Sequence, residues 1–267
     1  MSSPQFWWRQ IRAGTVSCVV KSKVESAANG HTPRGPEGFR FDVIRLAILV
    51  VAWLALAGSL IGIGELVAHS GRVQGFDKHV TSIVVAHRSQ GLNVAMKAVT
   101  WLGSWVALLV ATATVLLLVV RRTLSVGFLL LAVLLWGGTQ GATALAKHVV
   151  QRPRPPEQIW LVSAHGWSWP SGHTATAAVL FAVLAAIVWL LFPKAGPRIL
   201  AAFAWTAVVV AMAFSRVELG VHWTTDVLAS VAFVIAWLLV AGFLFIPSRS
   251  GRSTQDQSDM EVQRPRA

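Results

Sequence analysis

Three observations predict an all-α fold that crosses a membrane several times. Six apolar runs are each long enough to span about 30 Å of hydrocarbon at about 1.5 Å per residue. Only 13% of the 267 residues are charged, whereas soluble domains carry about 25%. The basic residues outside the terminal segments collect in the connections between the apolar runs rather than along a stripe.

The runs lie at 43–66, 99–120, 124–147, 172–192, 198–216 and 222–246. The first starts too far along the chain, and is too long, for a cleaved leader. Residues 70–98 interleave Val80, Ile83, Val84 and Met96 with Asp77, Lys78, His79 and Arg88. That pattern predicts one or two short helices in the interface between spans one and two. Residues 1–40 are polar and basic, residues 248–267 are polar, and both are expected to be disordered tails. Gly137, Gly138 and Gly141 in span three suit close helix packing. Trp7, Trp8, Trp101, Trp105, Trp160, Trp167, Trp169 and Trp223 fall near predicted boundaries and read as headgroup anchors.

Arg40 and Arg45, Arg121 and Arg122, Lys194 and Arg198, and Arg249 and Arg252 all fall on one side of the six-span arrangement. The positive-inside rule makes that side cytoplasmic, with both termini. The opposite side still carries Lys147, Arg152, Arg154 and Arg216. Cations there make sense if they hold an anion. The net charge of +12 does not point to nucleic acid, because no soluble domain presents a basic face. The single cysteine, Cys18, forms no internal disulfide, and no Cys/His spacing suggests a metal.

Four short segments carry the chemistry: Lys147 to Pro155, Pro170 to His173, Ser215-Arg216, and His222 with Asp226. All fall at one membrane face. Charges from several helices at a membrane boundary point to a functional site, and this set suits binding and cleaving a phosphate ester. Prolines stiffen the stretch around Arg154. Ser171 and Gly172 open span four, where free backbone N–H groups and the helix dipole favour phosphate. Ser171 also suits an N-cap, and Gly172 permits close approach of an oxyanion. His222 and Asp226 are four residues apart, so on a helix they share a face. Asp226 can then orient one imidazole nitrogen and leave the other free to attack.

Lys147-x6-Arg154-Pro155, Pro170-Ser171-Gly172-His173 and Ser215-Arg216-x5-His222-x3-Asp226 together resemble the three-part signature of the type 2 phosphatidic acid phosphatase (PAP2) superfamily. Phe76-Asp77, Leu102-Gly103-Ser104 and Arg152-Pro153-Arg154-Pro155-Pro156 extend the resemblance, which covers about residues 70–246 of a six-span phosphatase-like domain at 41–247. It implies that His222 attacks phosphorus to form a phosphohistidine, that Asp226 orients it, and that His173 protonates the leaving group and then activates water. Lys147, Arg154, Arg216, Ser171 and Gly172 would hold the phosphoryl oxygens, with no metal and no cofactor. The implied partner is a lipid phosphate in the bilayer: polyprenyl pyrophosphate, a polyprenyl-phosphate sugar phosphate, phosphatidylglycerophosphate or phosphatidic acid. Alternatives are lipid phosphotransfer through the same intermediate, or a non-catalytic transporter or scaffold. Family members often carry an aromatic where Glu218 stands and a glycine where Ser230 stands.

Overall fold

A computed structural model describes residues 43–245. The tails expected at 1–40 and 248–267, with Trp7, Trp8 and Cys18, lie outside the described residues. The described chain forms eight α-helices: α1 Val43–His69, α2 Gly71–Ala86, α3 Gln90–Thr100, α4 Trp105–Val120, α5 Val126–Val150, α6 Gly172–Leu191, α7 Ala195–Glu218 and α8 Thr224–Phe245. No strand occurs among the described residues.

Helices α1, α5, α6, α7 and α8 are each long and apolar enough to cross a membrane. The sixth span differs from the straight run expected at 99–120. It is a bent pair, Gln90–Gly103 followed by Val106–Val120, turned by 43°. The break has local causes. Ser104 leaves the helix with extended backbone, and its hydroxyl donates to the Trp101 carbonyl at 2.6 Å. Gly103 packs so closely on the start of α6 that a Cβ there would lie 2.7 Å from the His173 carbonyl oxygen. The bend therefore brings the end of α3 against the helix that carries His173.

Two short helices do occupy 71–100. Serines begin both: Ser70 Oγ accepts from Val73 N–H and Ser89 Oγ from Leu92 N–H. Helix α2 packs on α7 and α8, and α3 packs on α7, so both cover one end of the bundle. The interfacial reading needs one correction, because Asp77 on α2 is fully buried.

Helix α6 is the centre of the bundle and touches α5, α7 and α8, while α1 lies against α5 and α8. At the end remote from α2 and α3, Val115, Leu124, Phe128, Val183 and Ile187 bring α4, α5 and α6 together. Small residues set the α1–α5 seam. Gly138 O accepts from Trp53 Nε1 at 2.8 Å, and a Cβ on Gly138 would meet Trp53 and Trp237 at 3.1–3.2 Å. Gly141 faces Trp53 more loosely, and Gly137 borders open space and plays no such part.

Trp169 is not a boundary anchor. It is 1% exposed, donates to Leu60 O at 3.0 Å, and sits in a notch at Gly64, where a Cβ would come within 2.8 Å of its ring. Trp101 and Trp167 remain largely exposed, as anchors should be. Trp160 and Trp223 instead donate to the Pro155 and Pro153 carbonyls at 2.9 Å each, tying down the Pro-rich loop.

Candidate active site at one end of the bundle

The predicted segments meet at the end covered by α2 and α3. Lys147 lies in the last turn of α5, which closes through Gln151 in the left-handed conformation. The chain then runs through Arg152 and Arg154 to Trp169, and α6 begins at Gly172. Arg216 is in the last turn of α7. His222 lies in the turn before α8, and Asp226 lies in the first turn of α8.

His222 and Asp226 meet by a different route from the one expected, because His222 precedes the helix. Asp226 Oδ2 accepts from the Trp223 backbone N–H at 2.9 Å, the carboxylate half of a capping box. The same oxygen lies 3.4 Å from His222 Nδ1. That separation is at the long end for a hydrogen bond. The carboxylate side places the proton on Nδ1 and leaves the Nε2 lone pair facing the site. Arg154 Nη1 donates toward Nε2 at 3.1 Å. Burial pushes the His222 imidazole down to about 3, against the opposing pull of Asp226. The ring is thus neutral across the physiological range.

Arg154 reaches this histidine directly. Arg154 is held by carbonyls, with Nε on Gly166 O at 2.9 Å, Nη2 on His165 O at 2.9 Å and Nη1 on Val221 O at 2.6 Å. Burial lowers its pKa, and Asp226 opposes that shift. Lys147 Nζ donates to Trp167 O at 2.6 Å. Arg216 is 4% exposed. Its Nη1 donates to Thr100 Oγ1 at the end of α3, while its buried Nε has no partner. His173 feels the charges of Arg216, Arg154 and Lys147 together, which puts both histidines within one cationic field.

Ser171 takes a different part from the side-chain cap anticipated. Ser171 does not cap α6 with its side chain; its hydroxyl lies 2.9 Å from Thr174 Oγ1. Its backbone N–H bonds Asp226 O, and Ser230 Oγ donates to Ser171 O at 3.0 Å. Ser230, where a glycine is common, thus pins the start of α6 to α8. A Cβ on Gly172 would meet only Thr143, at 3.8 Å, so space remains beside its backbone.

Arg152, expected among the anion-holding cations, is occupied on both sides: Nη2 pairs with Asp77 Oδ2 and Nη1 with Asp226 Oδ1, each at 2.6 Å. Trp223 covers it, with the ring centroid 5.8 Å from Cζ. Glu218 is buried with Oε1 unpartnered, and Arg88 donates to its backbone carbonyl and to Ile159 O rather than binding its side chain. Asp77, Thr100 and Thr225 were not legible as site residues. Phe76-Asp77 counted only as context for the resemblance, and the signal of Thr100 and Thr225 is a polar residue inside an apolar stretch, which is common to many solvated positions. Among the described residues, no group of three or more His, Cys, Asp or Glu side chains gathers to hold a metal.

The PAP2 superfamily model matches residues 122–250. The chain is 30% identical over 179 residues to phosphatidylglycerophosphatase B of Bacillus subtilis (strain 168), covering 66% of this chain and 86% of that protein. It also resembles the crystal structure of a transmembrane PAP2 type phosphatidylglycerolphosphate phosphatase from Bacillus subtilis. That likeness has a TM-score of 0.59 and 27% identity, and covers 82% of this chain and 97% of the other. The helices long enough to cross a membrane, the matched motifs and the shared fold agree: the chain is a multi-pass membrane protein and belongs to the PAP2 superfamily.

Proposed function

We propose that this protein is a membrane lipid phosphatase that works through a phosphohistidine on His222, without a metal. The observation that carries the reading is the two-sided setting of His222, with Asp226 at Nδ1 and Arg154 at Nε2. A substrate phosphate entering the site takes over the Arg154 N–H and meets Lys147 and the free Arg216 Nε. Nε2 then attacks phosphorus, the P–O bond to the leaving group breaks, and His173 gives that oxygen a proton. In the second step His173 takes a proton from water, the hydroxide displaces Nε2, and inorganic phosphate leaves. The cations stabilise the equatorial oxygens in both transition states. They also supply the positive charge that a metal would otherwise bring.

The substrate class follows from where the site lies. It sits at the end of a bundle of membrane-crossing helices, where a lipid headgroup would be held while its chains stay in the bilayer. Phosphatidylglycerophosphate heads the candidates because the Bacillus subtilis relatives are named for it. Arg121, Arg122 and Lys194 lie in connections at the opposite ends of the spans, and Arg198 in the first turn of α7 beside them, which supports an extracytoplasmic site.

The test is phosphate release by purified protein in detergent, against a panel of lipid phosphates with EDTA present. His222→Ala should abolish turnover and with it an acid-labile phosphoenzyme. Full activity in that variant, or a strict need for added metal, would overturn the mechanism. Orientation is checked by labelling cysteines placed in 156–168 of a Cys18-free variant; labelling from the cytoplasm alone would reverse it.

A further inference from the structure

We infer that Asp77 and Arg152 form a positioning pair for His222, acting through Asp226 and setting the charge against which the nucleophile works. The inference rests on the phosphohistidine reading. Arg152 bridges the two carboxylates, with contacts of 2.6 Å on each side, and all three side chains are at most 4% exposed. Thr225 locks the arrangement. Its backbone N–H donates to Asp77 Oδ1 at 3.0 Å, and its hydroxyl donates to Asp77 Oδ2 at 2.6 Å while accepting from Arg152 Nη1 at 2.8 Å. None of the groups that hold phosphate in the proposed mechanism belongs to this network.

The charges explain why a buried arginine alone would be harmful. Attack by Nε2 turns a neutral imidazole into a cationic, phosphorylated ring that keeps its Nδ1 proton. Asp226 must offset that charge. Arg152 bound to Asp226 by itself would form a neutral pair and weaken that offset. Asp77 restores one net negative charge to the trio while leaving Arg152 in place to hold Asp226 Oδ1. The opposite oxygen, Oδ2, is then aimed at His222. In a buried site such charges act at low effective dielectric and are poorly screened. Asp77 stands on α2, so this helix contributes to the reaction centre through Arg152 and Asp226.

A clamp that merely fastens α2 to α8 would show the same contacts, so the test must separate charge from shape. Asp77→Asn removes the charge and leaves Arg152 and Asp226 as a neutral pair; Asp77→Asn with Arg152→Gln restores the single negative charge. For the single variant we expect kcat to fall about ten- to hundredfold with KM changed less than about threefold. The double variant should recover at least about fivefold of that loss. Wild-type kcat in Asp77→Asn, or a double variant no better than the single, would overturn the inference. If the single variant fails to fold, the double is read against wild type. A loss below about tenfold supports the charge account and a greater one overturns it. His222→Ala run alongside keeps the two readings apart. Turnover there sinks the phosphohistidine chemistry whatever Asp77 does. An inactive His222→Ala beside an undiminished Asp77→Asn sinks only the positioning pair.

Discussion

Asp226→Asn separates the charge of the orienting residue from its shape. Asp226 meets Arg152 Nη1 through Oδ1 at 2.6 Å, and through Oδ2 it meets Trp223 N–H at 2.9 Å and His222 Nδ1 at 3.4 Å. An asparagine amide can satisfy only one side. With its oxygen toward Arg152, its NH2 faces His222 and drives the imidazole proton to Nε2, where no lone pair is then left for attack. With its NH2 toward Arg152, two donors oppose each other. Losing a charge-assisted hydrogen bond costs about 1.5–3 kcal/mol. Arg152 keeps Asp77 as a partner, so the loss stays below the roughly 3–5 kcal/mol expected for an orphaned buried charge. Turnover should suffer more than stability. In the serine-protease triad, the same Asp-to-Asn change imposes the wrong tautomer and lowers kcat on the order of ten-thousandfold. Here a fall of at least about a thousandfold is expected. Phosphate release in detergent reports the first effect and thermal unfolding the second. A folded variant retaining more than about a tenth of wild-type kcat would refute the role assigned to Asp226.

Other substitutions probe other parts of the site and bundle. Arg216→Lys keeps a positive charge but loses the fork that joins Thr100 to the unpartnered Nε. It should lower kcat/KM by about ten- to hundredfold, and near-wild-type kinetics would show that a point charge suffices. Gly64→Ala places a methyl against Trp169 and Val150. It should cost about 1–3 kcal/mol by thermal unfolding, and an unchanged Tm would mean the notch is looser than described. The His222 ring, with its pKa lowered to about 3, gains a proton only when the pH falls to that value. Ring NMR on histidine-labelled protein without substrate should show no His222 titration between about pH 5 and 8; a midpoint near the ordinary 6.5 would contradict the burial argument.

The spans were legible because hydrocarbon thickness imposes a minimum apolar length, and α1, α5, α6, α7 and α8 satisfy it with single helices. Their ends were less so. Helix α7 runs past Arg216 to Glu218 because Leu219 N–H still finds Ser215 O, a pairing that hydropathy does not encode. The candidate site residues were legible for a related reason: Lys147, Arg154, His173, Arg216, His222 and Asp226 flank helix ends at short, recognisable spacings. Asp77 and Thr100 arrive instead on α2 and α3, whose docking depends on tertiary fit. The same holds for Trp169, since its burial depends on Gly64, about a hundred residues away, leaving room for the ring.

That tertiary contribution changes how the cluster of cations is understood. Read from sequence, Lys147, Arg152, Arg154 and Arg216 are four equivalent positive charges at one membrane face. In the folded chain Arg152 is taken up by two carboxylates, and that trio carries one net negative charge. The other three cations then leave the site with two net positive charges before His173 takes up the proton that it gives to the leaving group. A phosphate monoester dianion carries the complementary charge; a phosphodiester, with one, does not. The arginine that binds no phosphate in the proposed mechanism thus helps match the site to a terminal phosphate, because it lets a second aspartate be buried beside the nucleophile at far lower cost than an unpaired carboxylate would incur.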